Sequence, residues 1–175
     1  MSSADNIRPA GPGDVAAITR IYDEAVASGT ATFEIEPPPE AEMARRLDAL
    51  LAKNFPYLVA EWAGVVAGYA YVAPYHARPA YRWSVEDSVY VAPEFQRRGW
   101  GRLLLARLID GAEARGFRQM IAVVGDSANA ASIALHAAAG FRRIGAVQSV
   151  GFKHGRWLDT VLMQRSLGHG DSSVP

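Results

Sequence analysis

The sequence predicts a single α/β (α+β) domain in which helices flank a mixed β-sheet. Three observations carry that expectation. Helical and strand patterns interleave along the chain in the order β-α-α-β-β-β-α-β-α-β-β. The strands at 57–62 and 65–74 are separated only by Ala63 and Gly64, which is the length of a tight antiparallel hairpin. The 175 residues, 50% of them hydrophobic, suffice for one well-filled core and are short for two. The domain is expected to cover residues 1–167, with "GHGDSSVP" at 168–175 forming a disordered tail.

Ile7, Arg8 and Pro9 open the chain as a short strand that stops at "AGPGD". Asp14 then reads as the N-cap of a helix over 15–28, with Val15, Ile18, Ile21, Tyr22 and Ala25 on one face. "SGTATFEIEPPP" is a loop closed by three prolines, and 40–53 is a second amphipathic helix through Met43, Leu47, Leu50 and Leu51. After the hairpin, "YHARPAYRW" at 75–83 is a loop rich in aromatics and arginine, and "SVEDSVYVAP" is a strand ended by Pro93. Residues 101–115 are helical, with Leu103, Leu104, Leu108 and Ile109 as the buried stripe and Gly116 as the stop. "QMIAVVG" is a buried strand, 129–139 an alanine-rich helix, and "FRRIGAVQSVGF" and "RWLDTVLMQRSL" are two closing strands around "KHG".

Composition removes several classes of function. Eighteen basic residues balance eighteen acidic ones, so no net field draws the chain to nucleic acid or anionic lipid. The tryptophans are scattered, and no aromatic side chains interleave with a basic stripe as a nucleic-acid surface requires. No apolar run is long enough for a bilayer, and the N-terminal segment lacks the apolar core of a secretory signal. There is no cysteine, hence no thiolate ligand, disulfide or cysteine nucleophile, which suits a reducing cytoplasm. His76, His154 and His169 fall at no metal-ligand spacing, so no bound metal is expected.

The chemistry concentrates at "QRRGWG", residues 96–101, where a strand passes into a helix. Gly99 and Gly101 allow close approach to unpaired first-turn N–H groups, at the positive end of the helix dipole. Arg97, Arg98 and Arg102 add charge at the rim. A solvated helix start and an anion seat both fit the hexamer taken alone. The dinucleotide fingerprint fails, because Leu104 stands where its third glycine belongs, and no GK[ST] follows to make a P-loop.

Gln-x-x-Gly-x-Gly after a strand, Asn129 in "DSANAASIALH", and "HAAAGF" at 136–141 together resemble the GCN5-related N-acetyltransferases (GNAT). The resemblance extends over nearly the whole chain. "TATFEIEPP", "ARPAYRWSVEDSVYV", "SIALHAAAGF" and "VGFKHGRWLD" are similar to the branch that acetylates phosphinothricin, methionine sulfone and methionine sulfoximine. It implies a GNAT fold whose sheet is splayed at the acetyl-CoA site, and a homodimer.

Under the resemblance, acetyl-CoA seats its pyrophosphate on the backbone of Gln96, Arg97, Arg98, Gly99, Trp100, Gly101 and Arg102. The pantetheine arm runs beside Val89, Tyr90 and Val91, with Asn129 orienting it or simply capping the helix that follows. Glu86 matches the family's general base; alternation along the strand places it opposite Asp87, which is free to meet a helix end or an arginine. A structural ion pair is the other reading of Glu86. The Val89 amide is expected to face the oxyanion. His136 stands where many relatives carry a tyrosine, either protonating the departing thiolate or packing against the backbone. The acceptor side is expected to use Arg78 and Tyr81 for an anionic group, Phe33 as a wall and Lys153 near the mouth. The implied activity is direct acetyl transfer from acetyl-CoA to the α-amine of a small amino acid or analogue. A peptide N-terminal or other small-amine acetyltransferase, and a non-catalytic acetyl-CoA-binding module, are the alternatives.

Overall fold

The computed structural model describes residues 5–175; the first four residues of the segment read as lacking a leader lie outside them. Strands β1 (Asp5–Pro9), β2 (Tyr57–Trp62), β3 (Val65–Pro74), β4 (Ser84–Val91), β5 (Gln119–Gly125), β6 (Arg142–Lys153) and β7 (Arg156–Ser166) form one sheet in the order β1-β2-β3-β4-β5-β7-β6. Only β4 and β5 run parallel, joined through a crossover helix; the other neighbours are antiparallel. The helices are α1 (Val15–Ser28), α2 (Glu40–Leu51), α3 (Trp100–Glu113) and α4 (Ala130–Ala138). The expected mixed sheet with flanking helices is therefore the fold observed.

The two faces of the sheet take different partners. Tyr90 on β4 packs edge-on against Tyr22 of α1, with ring centroids 5.2 Å apart. The opposite face meets α3 and α4: a side chain at Gly68 of β3 would press on Leu104, and Asp87 of β4 bonds His136 of α4. On the α1 side, Tyr57, Tyr69, Tyr71 and Tyr90 stack in one aromatic layer, with centroids between 4.9 and 6.3 Å. Cross-strand register brings them together, since Tyr57 pairs with Tyr71 and Tyr69 with Tyr90.

The structure corrects two local expectations. Asp14 precedes α1 but does not cap it with its side chain. Its carboxylate instead accepts both terminal nitrogens of Arg8, at 2.8 and 2.7 Å, and the Gly11 amide at 2.9 Å. A guanidinium fork outcompetes a single helix amide for the same oxygens. The buried stripe of α3 is Trp100, Leu104, Leu105, Leu108, Ile109 and Ala112, whereas Leu103 is 49% exposed. The buried positions 100, 104, 105, 108, 109 and 112 form one helical stripe, which Leu105 joins and from which Leu103 is turned away.

Residues 168–171 form a turn, and Arg118 donates to the Ser173 hydroxyl and the Val174 carbonyl beyond it. At the other end of the sheet, β6 is an edge strand with Ile144, Val147, Val150 and Phe152 exposed, and Trp157 of β7 stands beside them. No described helix is long and apolar enough to cross a membrane.

Candidate active site

The site begins where the β4–β5 ladder ends. Pairing runs from Ser84 with Gln119 to Asp87 with Ala122 and then stops, although β4 continues to Val91 and β5 to Gly125. The two strands diverge, leaving residues 88–91 without a ladder partner on that side. A cavity of about 330 Å³ opens over the fork, lined among others by Thr32, Phe33, Tyr71, Glu86, Ser88, Val89 and Asn129.

Period-2 alternation places Glu86, Ser88 and Tyr90 on the α1 face and Asp87 on the α4 face. The Glu86 carboxyl is pushed up to about 7 by burial and then by the neighbouring Asp87 charge; no donor offsets either effect. Asp87 is buried and accepts from His136 Nε2 at 2.9 Å. The Nδ1 of the same ring donates to the Ser132 carbonyl at 2.7 Å. A carbonyl can only accept, so both ring nitrogens carry hydrogen when both bonds are made. Burial lowers the His136 pKa, and the Asp87 bond and charge more than reverse this, so it stands above the ordinary histidine value.

The glycine turn of residues 96–101 joins the end of β4 to α3. Gly99 has φ +90°, a left-handed conformation that glycine adopts without strain, and it precedes the first turn of α3. The first N–H groups of that helix have no intrahelical acceptor. Arg97, Arg98 and Arg102 are exposed, Arg98 lies 5.6 Å from the Phe95 ring centre, and the Trp100 side chain is buried. Gln96 Nε2 donates to the Val91 carbonyl at 3.3 Å, fastening the turn to β4. Tyr90 contributes its ring to the aromatic layer, and a Cβ at Gly101 would lie 3.8 Å from the Val91 side chain. Asn129 caps α4, its Oδ1 accepting the Ser132 amide at 3.1 Å, and it also lines the cavity.

The acceptor-side residues divide. Phe33 lines the cavity and rests on Gly125 and Gly151, where any Cβ would overlap its ring or the loop carbonyls beside it. Lys153 is not at the mouth: it is 4% exposed, absent from the cavity lining, and donates to the Thr32 carbonyl at 3.0 Å. Arg78 and Tyr81 are likewise outside the lining. Both are exposed, and Tyr81 meets Tyr75 and His76 edge-on. Sequence reading missed Thr32, Tyr71 and Thr160 on the cavity wall. Of these, Tyr71 had a signal, because extending the Ala63–Gly64 hairpin into β4 pairs it with Ser88, two residues from Glu86. Among the described residues, no group of three or more His, Cys, Asp or Glu side chains could hold a metal ion.

Known proteins share this fold. The acetyltransferase (GNAT) family model matches residues 18–141. A phosphinothricin N-acetyltransferase from Alcaligenes faecalis is 51% identical over 98% of this chain and 87% of its own length. The L-methionine sulfoximine/L-methionine sulfone acetyltransferase of Salmonella typhimurium is 42% identical over 92% of this chain and 94% of its own. A crystal structure of a phosphinothricin acetyltransferase from Sinorhizobium meliloti in complex with AcCoA superposes with a TM-score of 0.95 at 48% identity, covering 98% of this chain and 93% of that one. With this fold, this fork and these relatives, the chain belongs to the acetyltransferase (GNAT) family and is an N-acetyltransferase.

Proposed function

We propose that the enzyme moves the acetyl group of acetyl-CoA directly onto the α-amine of a small amino acid or analogue, with phosphinothricin, methionine sulfoximine and methionine sulfone as leading acceptors. The observation that carries this reading is Glu86: an unpaired carboxyl in the cavity at the fork, with its pKa raised to about 7. A base of that pKa is half ionised at neutral pH and can take a proton from an ammonium without being trapped by it. The named acceptors come from the relatives described above.

The diphosphate of the coenzyme lies on the amides of residues 97–102, and its amide-bearing arm completes the unpaired edge of residues 88–91. Glu86 takes one proton from the acceptor ammonium, directly or through a water. The free amine then attacks the thioester carbon, and the Val89 amide stabilises the resulting oxyanion. As the C–N bond forms, the nitrogen becomes positively charged. The C–S bond breaks as the intermediate collapses, and the surplus nitrogen proton accounts for the thiolate. His136 needs no proton of its own to give, since both of its nitrogens are held by Ser132 and Asp87; we place it as a support of β4 at the fork. Phe33 and Tyr71 enclose the acceptor side chain. Arg78 and Tyr81 are the proposed contacts for its carboxylate once loop 75–83 closes toward the mouth.

Thiol release from acetyl-CoA, measured over a panel of amino acids, the three analogues and a peptide amine, tests the reading. Activity confined to the small zwitterions is expected, and activity on the peptide alone would replace it. The limiting kcat/KM should rise with pH and level off above about 7 as Glu86 ionises.

A homodimer is part of the proposal. The edge strand β6 exposes Ile144, Val147, Val150 and Phe152, and Phe152 pairs across to the exposed Trp157 of β7, leaving the kind of unpaired apolar edge that association covers. Light scattering should find a dimer in solution, and Trp157→Glu should shift it toward monomer. An unchanged mass in the variant would locate the interface elsewhere.

A further inference from the structure

Residues 29–33 follow α1 with no regular structure of their own, yet they form the acceptor-side wall of the cavity through Ala31, Thr32 and Phe33. What fixes them is distant in sequence. Lys153, at the end of β6, donates to the Thr32 carbonyl at 3.0 Å, and His154 Nε2 donates to the Gly29 carbonyl at 3.3 Å. The Thr30 hydroxyl donates to Asp126 Oδ2 at 2.9 Å, and Arg156 at the start of β7 donates to the same oxygen at 2.5 Å. Asp126 is 5% exposed and has φ +70°; its other oxygen accepts the Ala128 amide at 3.0 Å. That amide, then Arg156 and Thr30, hold the carboxyl below its usual range.

We infer that Asp126, Arg156 and Lys153 are positioning residues for the acceptor, clamping the 29–33 wall to the β6–β7 hairpin and to the turn that leads into α4. The inference rests on the acceptor reading above. Burying an ammonium and a carboxylate costs free energy that a surface hairpin does not need to spend. Here each buried charge terminates on the loop or on the group that holds it. None of the three lines the cavity, so their effect reaches the acceptor through the placement of Thr32 and Phe33. The Phe33 ring has little room to adjust, because it is seated on Gly125, the last residue of β5, and on Gly151 of β6.

The test uses Asp126→Asn, which tolerates the left-handed backbone and keeps an acceptor for Ala128 but loses the charge facing Arg156. Thr30→Val is the second variant and removes only the loop's own hydroxyl. Steady-state kinetics with the best acceptor of the panel should show its KM raised by about tenfold in Asp126→Asn, with the acetyl-CoA KM within about twofold. Arg156→Lys should keep part of the wild-type acceptor KM, where Arg156→Ala should not. Amide exchange over residues 29–34 should quicken in the same variants. An acceptor KM within about twofold of wild type in both Asp126→Asn and Thr30→Val would overturn the clamp, as would equal rises for both substrates. A wild-type enzyme with no activity across the panel would instead sink the acceptor reading, and unchanged loop exchange would then still overturn the clamp.

Discussion

Glu86→Gln should lower kcat by about a hundredfold to a thousandfold, the usual worth of a positioned general base. Acetyl-CoA affinity should stay within about twofold, because the proposed diphosphate seat on the backbone of residues 97–102 does not involve this carboxylate. Single-turnover kinetics and equilibrium binding of acetyl-CoA separate the two quantities; wild-type turnover across pH would remove Glu86 from the base role. The same variant should be more stable than the parent. A carboxyl held at about 7 in the folded chain, against the usual 4.5, keeps its proton longer in the folded state than in the unfolded one. Wild-type stability therefore falls as pH rises from about 4.5 to about 7 and is level above that, whereas glutamine does not titrate. After discounting for solvent at this partly exposed group, the gain above pH 7 should be roughly 1–2 kcal/mol. Thermal unfolding at pH 4 and pH 8 measures it, and equal gains at both would contradict the assignment. Lower activity with higher stability in one substitution is the signature of a group kept uncomfortable for its task.

His136→Ala carries the second large effect. The side chains of His136 and Asp87 are 6% and 1% exposed, so removing the ring strands a buried carboxylate whose other oxygen already lacks a partner. Breaking such a pair from one side costs about 3–5 kcal/mol, or on the order of 10 °C in Tm for a chain of this size. The pH dependence has a definite sign. The His136 pKa is raised by Asp87, so its contribution is fully present below the unfolded histidine value of 6.5 and fades as pH rises through the folded value. The deficit of His136→Ala should therefore be largest in mild acid. The double variant Asp87→Val/His136→Leu should recover part of the loss by leaving no orphaned charge. A double variant as unstable as the sum of the two singles would mean that the pair contributes nothing as a pair.

How far the sequence could be read depended on the range of the interaction. The opposed directions of Glu86 and Asp87 were legible because alternation along a strand is set by adjacent residues. The Ala63–Gly64 hairpin and the glycine turn before α3 were legible for the same reason. Asp87's partner was not, since His136 lies 49 positions away on a helix whose packing no local pattern fixes. Lys153 shows the limit most clearly. A lysine beside an expected pocket reads as a mouth cation, and only the folded chain reveals a loop carbonyl 121 positions away as its partner. Asp14 failed differently: its cap geometry was locally sound, but Arg8 offered the better bond.

The gap between β4 and β5 has one more consequence. A sheet with an open outer edge invites any passing strand, but this opening is internal and bounded on both sides. Under the proposed binding mode, the amide-bearing coenzyme arm would act as a removable piece of the sheet, completing on binding the ladder that stops at Asp87 and Ala122. Because the bound form is favoured in proportion to ligand excess, the enzyme's resistance to unfolding should follow the supply of its acetyl donor.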